Sequence, residues 1–100
     1  MNSFVVTYLI QDKEKLIELM ALEMGKPLEI GKWEMGVVID MCFYYADNSE
    51  TLLQDKPIEK PDADKAFIRY LPLGVLLCIE PWNFPFYQVF RPAAAGMLSL

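Results

Sequence analysis

The sequence predicts a small α+β piece of protein: an antiparallel pair of helices, a small sheet and a short final helix. Three observations lead to this fold class. Apolar residues recur at helical spacing from residue 12 to 24 and again from 29 to 47. An alternating segment at 65–71 and a continuous apolar run at 73–79 are typical of strands instead. One hundred residues are enough for one domain or for part of a larger one, so we treat 1–100 as a single partial domain.

The first helical stretch has recognisable signals at both ends. Asp12 can serve as its N-cap, and Glu14 lies in the first turn, where the helix dipole favours negative charge. Gly25 supplies the left-handed residue after the helix, and Pro27 prevents continuation. The preceding residues 4–10 could extend this helix backwards or form a strand. The predicted apolar stripe comprises Leu16, Ile17, Met20, Ala21 and Met24.

The second helical stretch runs from about Glu29 to Asp47 and follows a short Gly-Lys-Pro turn, which makes the two helices antiparallel neighbours. Gly31 and Gly36 each weaken this helix by up to ~1 kcal/mol relative to Ala, so packing must stabilise it. Its predicted apolar stripe comprises Ile30, Trp33, Val37, Met41 and Tyr44, widened by Val38 and Tyr45.

The second half of the sequence predicts less regular structure. Residues 48–64 contain two prolines and several charges, which favours a loop with at most a short edge strand. The alternation at 65–71 predicts a half-buried strand, and the run at 73–79 predicts a strand covered on both faces. Helical spacing resumes from Phe86 to Arg91, and we expect Pro92 to kink or end that helix.

Composition excludes several classes of function. The chain is 54% hydrophobic, carries a net charge of −5 and has no dense Lys/Arg cluster, which argues against a nucleic-acid partner. The N-terminal apolar run is too short for a membrane span and lacks the basic start of a secretory signal, so a cytoplasmic location without membrane attachment is expected. The absence of histidine excludes Ser-His-Asp and Cys-His catalysis and His-ligated zinc within these residues, and we expect no metal site. Cys42 and Cys78 are expected to be reduced and buried.

The most informative stretch is Pro81-Trp82-Asn83-Phe84-Pro85, which follows the apolar run directly. Two prolines fix φ on either side of a single side-chain amide. Asn83 could donate a hydrogen bond to a reacting carbonyl and stabilise negative charge on its oxygen. The alternative is a structural turn in which the asparagine caps a helix and the aromatic residues fill the core, and the physical argument alone favours this alternative.

Several motifs resemble the aldehyde dehydrogenase superfamily. A P-L-G-V segment ending at Val75, the apolar strand and then P-W-N-F-P at 81–85 is the most specific of them. The E-x-G-K-P at 23–27 is similar to the end of an earlier helix in that family, and Tyr-Tyr-Ala at 44–46 matches the next helix. The resemblance covers roughly 12–91, and it implies that these residues form one flank of a Rossmann-like α/β cofactor domain.

The resemblance also implies roles for individual residues. The amide of Asn83 would donate to the substrate oxygen when a cysteine attacks the aldehyde. The nicotinamide and ribose side of the NAD or NADP site would be lined by Ile79, Glu80, Pro81 and Trp82. Residues 60–73 would belong to a β-ribbon that builds subunit contacts, which implies a homo-oligomer.

A substrate tunnel would be lined by Phe84, Gln88 and Arg91. Arginine at the last of these places is typical of members that oxidise succinate semialdehyde, because a guanidinium binds the distal carboxylate of the substrate bidentately. A solvated arginine, or one paired with a protein carboxylate, is the alternative.

The family's nucleophilic cysteine, general-base glutamate and glycine-rich cofactor loop match nothing in these residues, and the register departs from the family pattern after Arg91. The resemblance therefore implies an N-terminal fragment of an oxidoreductase that is inactive by itself. The residues that would decide between NAD and NADP are among those that the chain lacks. The alternative is a non-catalytic module that self-associates or binds a partner through exposed apolar surface.

Overall fold

A computed structural model of the chain describes residues 3–59 and 65–96, and within them it has four helices and two short strands. The helices are α1 (Ser3–Gln11), α2 (Lys13–Met24), α3 (Leu28–Leu53) and α4 (Pro85–Gly96). The strands are β1 (Lys56–Pro57) and β2 (Phe67–Ile68), which pair antiparallel. The predicted α+β piece, with a helix pair, a small sheet and a final helix, is confirmed.

Residues 4–10, for which both a helix and a strand were possible, are helical and belong to α1. A single turn residue, Asp12, separates α1 from α2, and its backbone keeps helical hydrogen bonds to Tyr8 and Leu16 at 2.9 Å each. Asp12 occupies the N-cap position of α2 but makes no side-chain capping bond. Gly25 ends α2 with φ 69°, a conformation that glycine adopts without the cost a Cβ would impose, as predicted.

Helix α3 continues six residues beyond the predicted end at Asp47, so the loop predicted from residue 48 was wrong as far as Leu53. Two polar side chains bond back to the helix: Asn48 donates its amide to the Tyr44 carbonyl at 2.8 Å, and Ser49 donates its hydroxyl to the Ala46 carbonyl at 3.3 Å. These contacts satisfy polar groups that would otherwise compete with helix formation.

The buried face of α3 is rotated from the predicted stripe, although Val38, which was predicted to widen that stripe, is buried. Ile30, Trp33 and Tyr44 are 43%, 58% and 54% exposed. The residues that are buried follow one position later along the helix: Gly31, Glu34, Met35, Val38 and Cys42. Gly31 explains the rotation, since a Cβ there would lie 3.1 Å from Ile17 Cγ2 on α2. Helix α2 therefore approaches α3 along the side of the missing side chain.

The hydrophobic core lies where α1, α2 and α3 meet, and α4 packs against it. Its buried members are Val6, Leu9, Ile17, Met20, Met35, Val38 and Cys42. From α4, Phe86, Tyr87 and Phe90 pack on this cluster. The predicted stripe of α2 is confirmed in its centre, since Ile17 and Met20 are among the most buried side chains.

Helix α4 was expected to end or kink at Pro92, but it continues to Gly96 with Pro92 inside it. Proline removes one amide donor and crowds the preceding turn. Here Ala94 is buried with 1% exposure and Phe90 packs on the core, so tertiary packing holds the last turn in place.

The two strands form a short ribbon outside the helical core. Lys56 pairs with Ile68 and Pro57 pairs with Phe67. The strand predicted over residues 65–71 is thus reduced to two residues, and both are exposed rather than half-buried. Residues 60–64, which include Pro61 of the predicted loop, lie outside the described part.

Residues 69–81, which we call the arm, have no regular secondary structure. The predicted strand over residues 73–79 is therefore wrong for this chain, and Val75, at 100% exposure, illustrates how little covers it. A strand needs a neighbour to satisfy its backbone groups, and none is provided among the residues that the structure describes. Cys78 is exposed for the same reason, whereas Cys42 is buried as expected; neither forms a disulfide.

None of the described helices is long and apolar enough to span a membrane.

Candidate functional site

The predicted site lies where the arm meets α4. Trp82 and Asn83 form a turn, and α4 begins at Pro85. The amide of Gln88 donates to the carbonyl of Phe84 at 2.9 Å, which makes Phe84 the residue that precedes the helix. Pro85 then occupies the first helical position, where its missing N–H costs nothing.

A phenylalanine cannot cap a helix, because its side chain has no acceptor for the free amides of the first turn. Glu34 on α3 performs this task from 52 residues away in sequence. Its Oε1 accepts hydrogen bonds from the amides of Phe86 at 2.9 Å and Tyr87 at 3.0 Å. The carboxylate also lies at the positive end of the helix dipole.

The charge of Glu34 is buried and paired. Glu34 is 0% exposed and Lys26 6% exposed, and the ammonium of Lys26 donates to Oε2 of Glu34. A buried carboxylate without such a partner would be strongly destabilising. Every oxygen of this carboxylate therefore has a donor: two backbone amides on one and an ammonium on the other.

Lys26 reaches this position because of the way α2 ends. The left-handed Gly25 reverses the direction of the chain. The Gly25 amide donates to the Ala21 carbonyl at 3.1 Å, and the Lys26 amide donates to the Met20 carbonyl at 3.4 Å. The same ammonium lies 3.9 Å from the centroid of the Phe84 ring, a cation–π contact. Trp33 packs edge-on against that ring, with centroids 6.1 Å apart.

These contacts bear on one part of the structural alternative for Asn83, the capping of α4. The first amides of α4 bond to Glu34, so Asn83 does not cap the helix, and the structural alternative is wrong on this point. The Asn83 side chain is exposed. The residue therefore lies exposed on a turn beside a helix that Glu34 caps.

The other predicted site residues fall on two segments. Ile79, Glu80, Pro81 and Trp82 form the end of the arm and the start of the turn, and all are exposed. Ile79 is 88% and Trp82 76% exposed, which is unusual for apolar side chains of this size.

Phe84, Gln88 and Arg91 follow at spacings of four and three along α4, which places them on one side of the helix. Phe84 and Gln88 are half-buried and Arg91 is exposed. This side differs from the one that carries Phe86 and Phe90 into the core.

A cavity of about 290 Å³ opens between the turn and α2. It is lined mainly by apolar side chains: Leu19, Met20, Glu23, Met24, Trp82, Pro85 and Phe86. Asn83, Gln88 and Arg91 are not part of this lining, so the cavity is not the predicted substrate tunnel.

Sequence reasoning missed Glu34 altogether, although a signal was present. Glu34 is three residues after Gly31 and four before Val38, which puts a carboxylate in line with residues that a helix buries together. A charged residue in an apolar stripe points to a buried partner, and Lys26 in the E-x-G-K-P motif is that partner.

The described residues provide no group of side chains that could bind a metal ion. Within residues 3–59 and 65–96, no three His, Cys, Asp or Glu side chains are grouped so that they could hold a metal ion.

Comparison with known proteins decides the family. Residues 4–99 match the family described as "Aldehyde dehydrogenase family". The chain belongs to this family. The family resemblance expected from P-W-N-F-P and E-x-G-K-P is confirmed.

Aldehyde dehydrogenases with related sequences carry a consistent name. A protein of Synechocystis sp. named "Probable succinate-semialdehyde dehydrogenase [NADP(+)]" is 43% identical over 89 residues, which are 89% of this chain and 19% of that protein. The "Succinate-semialdehyde dehydrogenase [NADP(+)]" of Mycobacterium leprae is 47% identical over 83 residues, 81% of this chain and 18% of that protein.

Among solved structures, the succinic semialdehyde dehydrogenase of Streptococcus pyogenes in complex with NADP+ superimposes with a TM-score of 0.88 at 35% identity. The match covers 95% of this chain and 21% of that one. The chain therefore spans about a fifth of the length of these relatives.

Proposed function

We propose that this chain is part of an NAD(P)-dependent aldehyde dehydrogenase that oxidises succinate semialdehyde to the carboxylate. Family membership and the names of its relatives support the reaction class, the substrate and the cofactor. The observation that carries the proposal is the exposed Asn83 on a turn whose following residues, Phe84 and Phe86, are bound by Lys26 and Glu34.

Asn83 is the group we assign to the chemical step. A cysteine supplied by another part of the enzyme adds to the aldehyde carbon, and negative charge develops on the aldehyde oxygen. The neutral amide donates a hydrogen bond to that oxygen at any pH, and it is already oriented before the reaction begins. Cys42 is an unsuitable nucleophile, because it is buried in the core and burial raises the pKa of its thiol.

The end of the arm fits one wall of a nicotinamide site. Ile79 and Trp82 expose large apolar faces, against which a planar ring could pack. The backbone amides and carbonyls of this segment belong to no strand, so they are available to the ribose and amide groups of a cofactor. When bound, NAD(P) would accept the hydride that leaves the substrate carbon.

Arg91 is the group we assign to substrate selection. Its guanidinium would bind the distal carboxylate of succinate semialdehyde with two parallel hydrogen bonds, whereas a neutral aldehyde needs no cation there. Phe84 and Gln88, on the same side of α4, would line the path between this anchor and Asn83.

A second proposal concerns the exposed apolar surface. Val75, Leu77 and Ile79 are 100%, 86% and 88% exposed, which favours burial of the arm against further chain or a second copy. We assign residues 60–73 to a subunit contact, and we expect the chain to self-associate. Size-exclusion chromatography tests this, and a strict monomer at high concentration would contradict it.

The catalytic proposal is tested with a chimaera. Residues 4–99 replace the matching segment of the Streptococcus pyogenes enzyme, and NADPH formation from succinate semialdehyde is followed. We expect Asn83→Ala to lower kcat by about 10²–10³, the usual effect of removing one oxyanion donor. Asn48→Ala on α3 is the matched control, since it removes an exposed amide elsewhere. An unchanged kcat in Asn83→Ala would overturn the proposal.

The same chimaera tests substrate selection. Arg91→Met should raise KM for succinate semialdehyde by about tenfold to a hundredfold and leave a neutral aldehyde of similar length unaffected. The isolated 100-residue chain should form no NADPH, because no residue in it takes the role of nucleophile.

A further inference from the structure

We propose that Glu34 and Lys26 act as a positioning pair that sets the orientation of Asn83. The catalytic role of Asn83 rests on the proposed function, whereas the positioning role of the pair is inferred from the contacts that Glu34 and Lys26 make. Glu34 holds the residues that follow the turn, through the amides of Phe86 and Tyr87. Lys26 holds the residue next to Asn83, through the ring of Phe84.

The two tethers act on the C-terminal side of Asn83. On its N-terminal side the arm is exposed and has no regular secondary structure, and its Leu76 lies against Gly96 at the far end of α4 rather than beside the turn. Pro81 and Pro85 limit φ at two positions but do not determine where the turn lies relative to α3. The contacts from Glu34 and Lys26 supply that placement.

The pair is interdependent, because each member is almost completely buried. Removing Lys26 leaves a carboxylate in the core with only two amides to stabilise it, and removing Glu34 leaves an ammonium without a counter-ion. Either change should therefore disturb the turn. Removing both charges together should disturb it less than removing Lys26 alone, since no uncompensated charge remains.

Two variants test the pair in the 100-residue chain labelled with ¹⁵N. Glu34→Gln keeps the size of the side chain and one acceptor but removes the charge, and Lys26→Met keeps the length but removes the ammonium. The measured quantities are hydrogen-exchange protection of the Phe86 and Tyr87 amides and the side-chain amide resonances of Asn83. We expect protection to fall by about tenfold or more in both variants and the Asn83 resonances to shift.

Three further variants separate placement of the turn from general stability. Glu29→Gln removes an exposed carboxylate that pairs with Lys32 on the same helix, and it should leave all three measured groups unchanged. Lys26→Arg keeps the charge and should restore most of the protection. The double variant Lys26→Met/Glu34→Gln should recover part of what Lys26→Met loses.

Protection at Phe86 and Tyr87 that is unchanged in Glu34→Gln would overturn the proposal. An equal loss across all amides of α3 and α4, or failure of both single variants and the double variant to fold, would also overturn it, because the pair would then hold the whole domain rather than place the turn. These results do not depend on catalysis. If Asn83→Ala leaves the chimaera active, the proposed function fails while the exchange data still decide the role of the pair.

Discussion

The helical body, formed by α1 to α4, and the arm contain similar apolar residues but differ in how far these residues are buried. Val38 on α3 is completely buried, whereas Val75 in the arm is completely exposed. A helix satisfies its own backbone groups and needs only one apolar face covered, which α1, α2 and α4 do for α3. A buried apolar strand needs strand neighbours and cover on both faces, whereas within the described residues the arm pairs with no strand and only its Leu76 packs against α4, at Gly96.

This difference shows which part of the chain buries its own apolar residues. The turn that carries Asn83 lies on the boundary, and it is ordered from the helical side by Glu34 and Lys26. The predictions that follow test the contrast between the helices and the regions outside them.

The largest effect is expected from truncating the two valines. Val38→Ala should lower the free energy of unfolding by about 2 kcal/mol, because it removes buried methyl groups and leaves a cavity. Val75→Ala should change it by less than about 0.5 kcal/mol, as is usual for exposed side chains. Urea unfolding of both variants measures the difference. Equal losses of unfolding free energy in the two variants would mean that the arm is packed in solution and that it does not differ from the helices in burial.

The two cysteines give the next effect. Cys78 in the arm should react with an alkylating reagent at least about tenfold faster than Cys42, which is buried and whose thiol pKa is raised by desolvation. Mass spectrometry of the modified sites measures both rates. Comparable rates would show that the core opens readily around Cys42.

The raised pKa of Cys42 also predicts how stability depends on pH. A pKa that is higher in the folded than in the unfolded state stabilises the fold below the ordinary thiol pKa of about 8.5, and this contribution is lost as the pH rises above it. Cys78→Ser isolates the effect in urea unfolding between about pH 7 and pH 10. Replacing Cys42 with Ala should abolish it.

The smallest effect is expected in the ribbon. Arg69 donates to Asp55 at 2.9 Å through Nε, and this bond lowers the pKa of the Asp55 carboxyl. Asp55→Asn should speed hydrogen exchange at Ile58, whose amide bonds the Ala66 carbonyl at 2.8 Å, without changing the urea midpoint. Exposed Asp40 supplies the control, Asp40→Asn.

The pH dependence of the ribbon has the opposite sign to that of Cys42. Because the pKa of Asp55 is lowered on folding, its contribution is present above the ordinary carboxyl pKa of about 4 and is lost as the pH falls below it. A protection factor of the Ile58 amide, corrected for the intrinsic pH dependence of exchange, that does not fall in acid, or that is unaltered in Asp55→Asn, would show that the ion pair is not formed in solution.

Sequence reasoning succeeded where structure is local. The cap at Gly25, the extent of α2 and the turn before α4 follow from short-range signals, and the structure confirms them. The assignment of Asn83 to catalysis came from the family resemblance and stays a prediction. The buried face of α3 was wrong because apolar residues occur on two sides of that helix, and only the approach of α2 at Gly31 selects one.

The capping of α4 by Glu34 could not be predicted from spacing, because these two hydrogen bonds join residues 52 and 53 positions apart. The strand at 73–79 was overpredicted for a related reason. Apolar composition indicates that a segment should be buried, but it does not say whether the covering chain is present.

The long connection between Glu34 and α4 has a consequence for how the sequence can change over time. The entropy of closing a loop grows only with the logarithm of its length, and each doubling adds about 0.6 kcal/mol. Residues inserted in the ribbon or the arm would therefore barely weaken the bonds that Glu34 makes to Phe86 and Tyr87. A change of length in the ribbon or in the first part of the arm would thus leave the turn that presents Asn83 where it is.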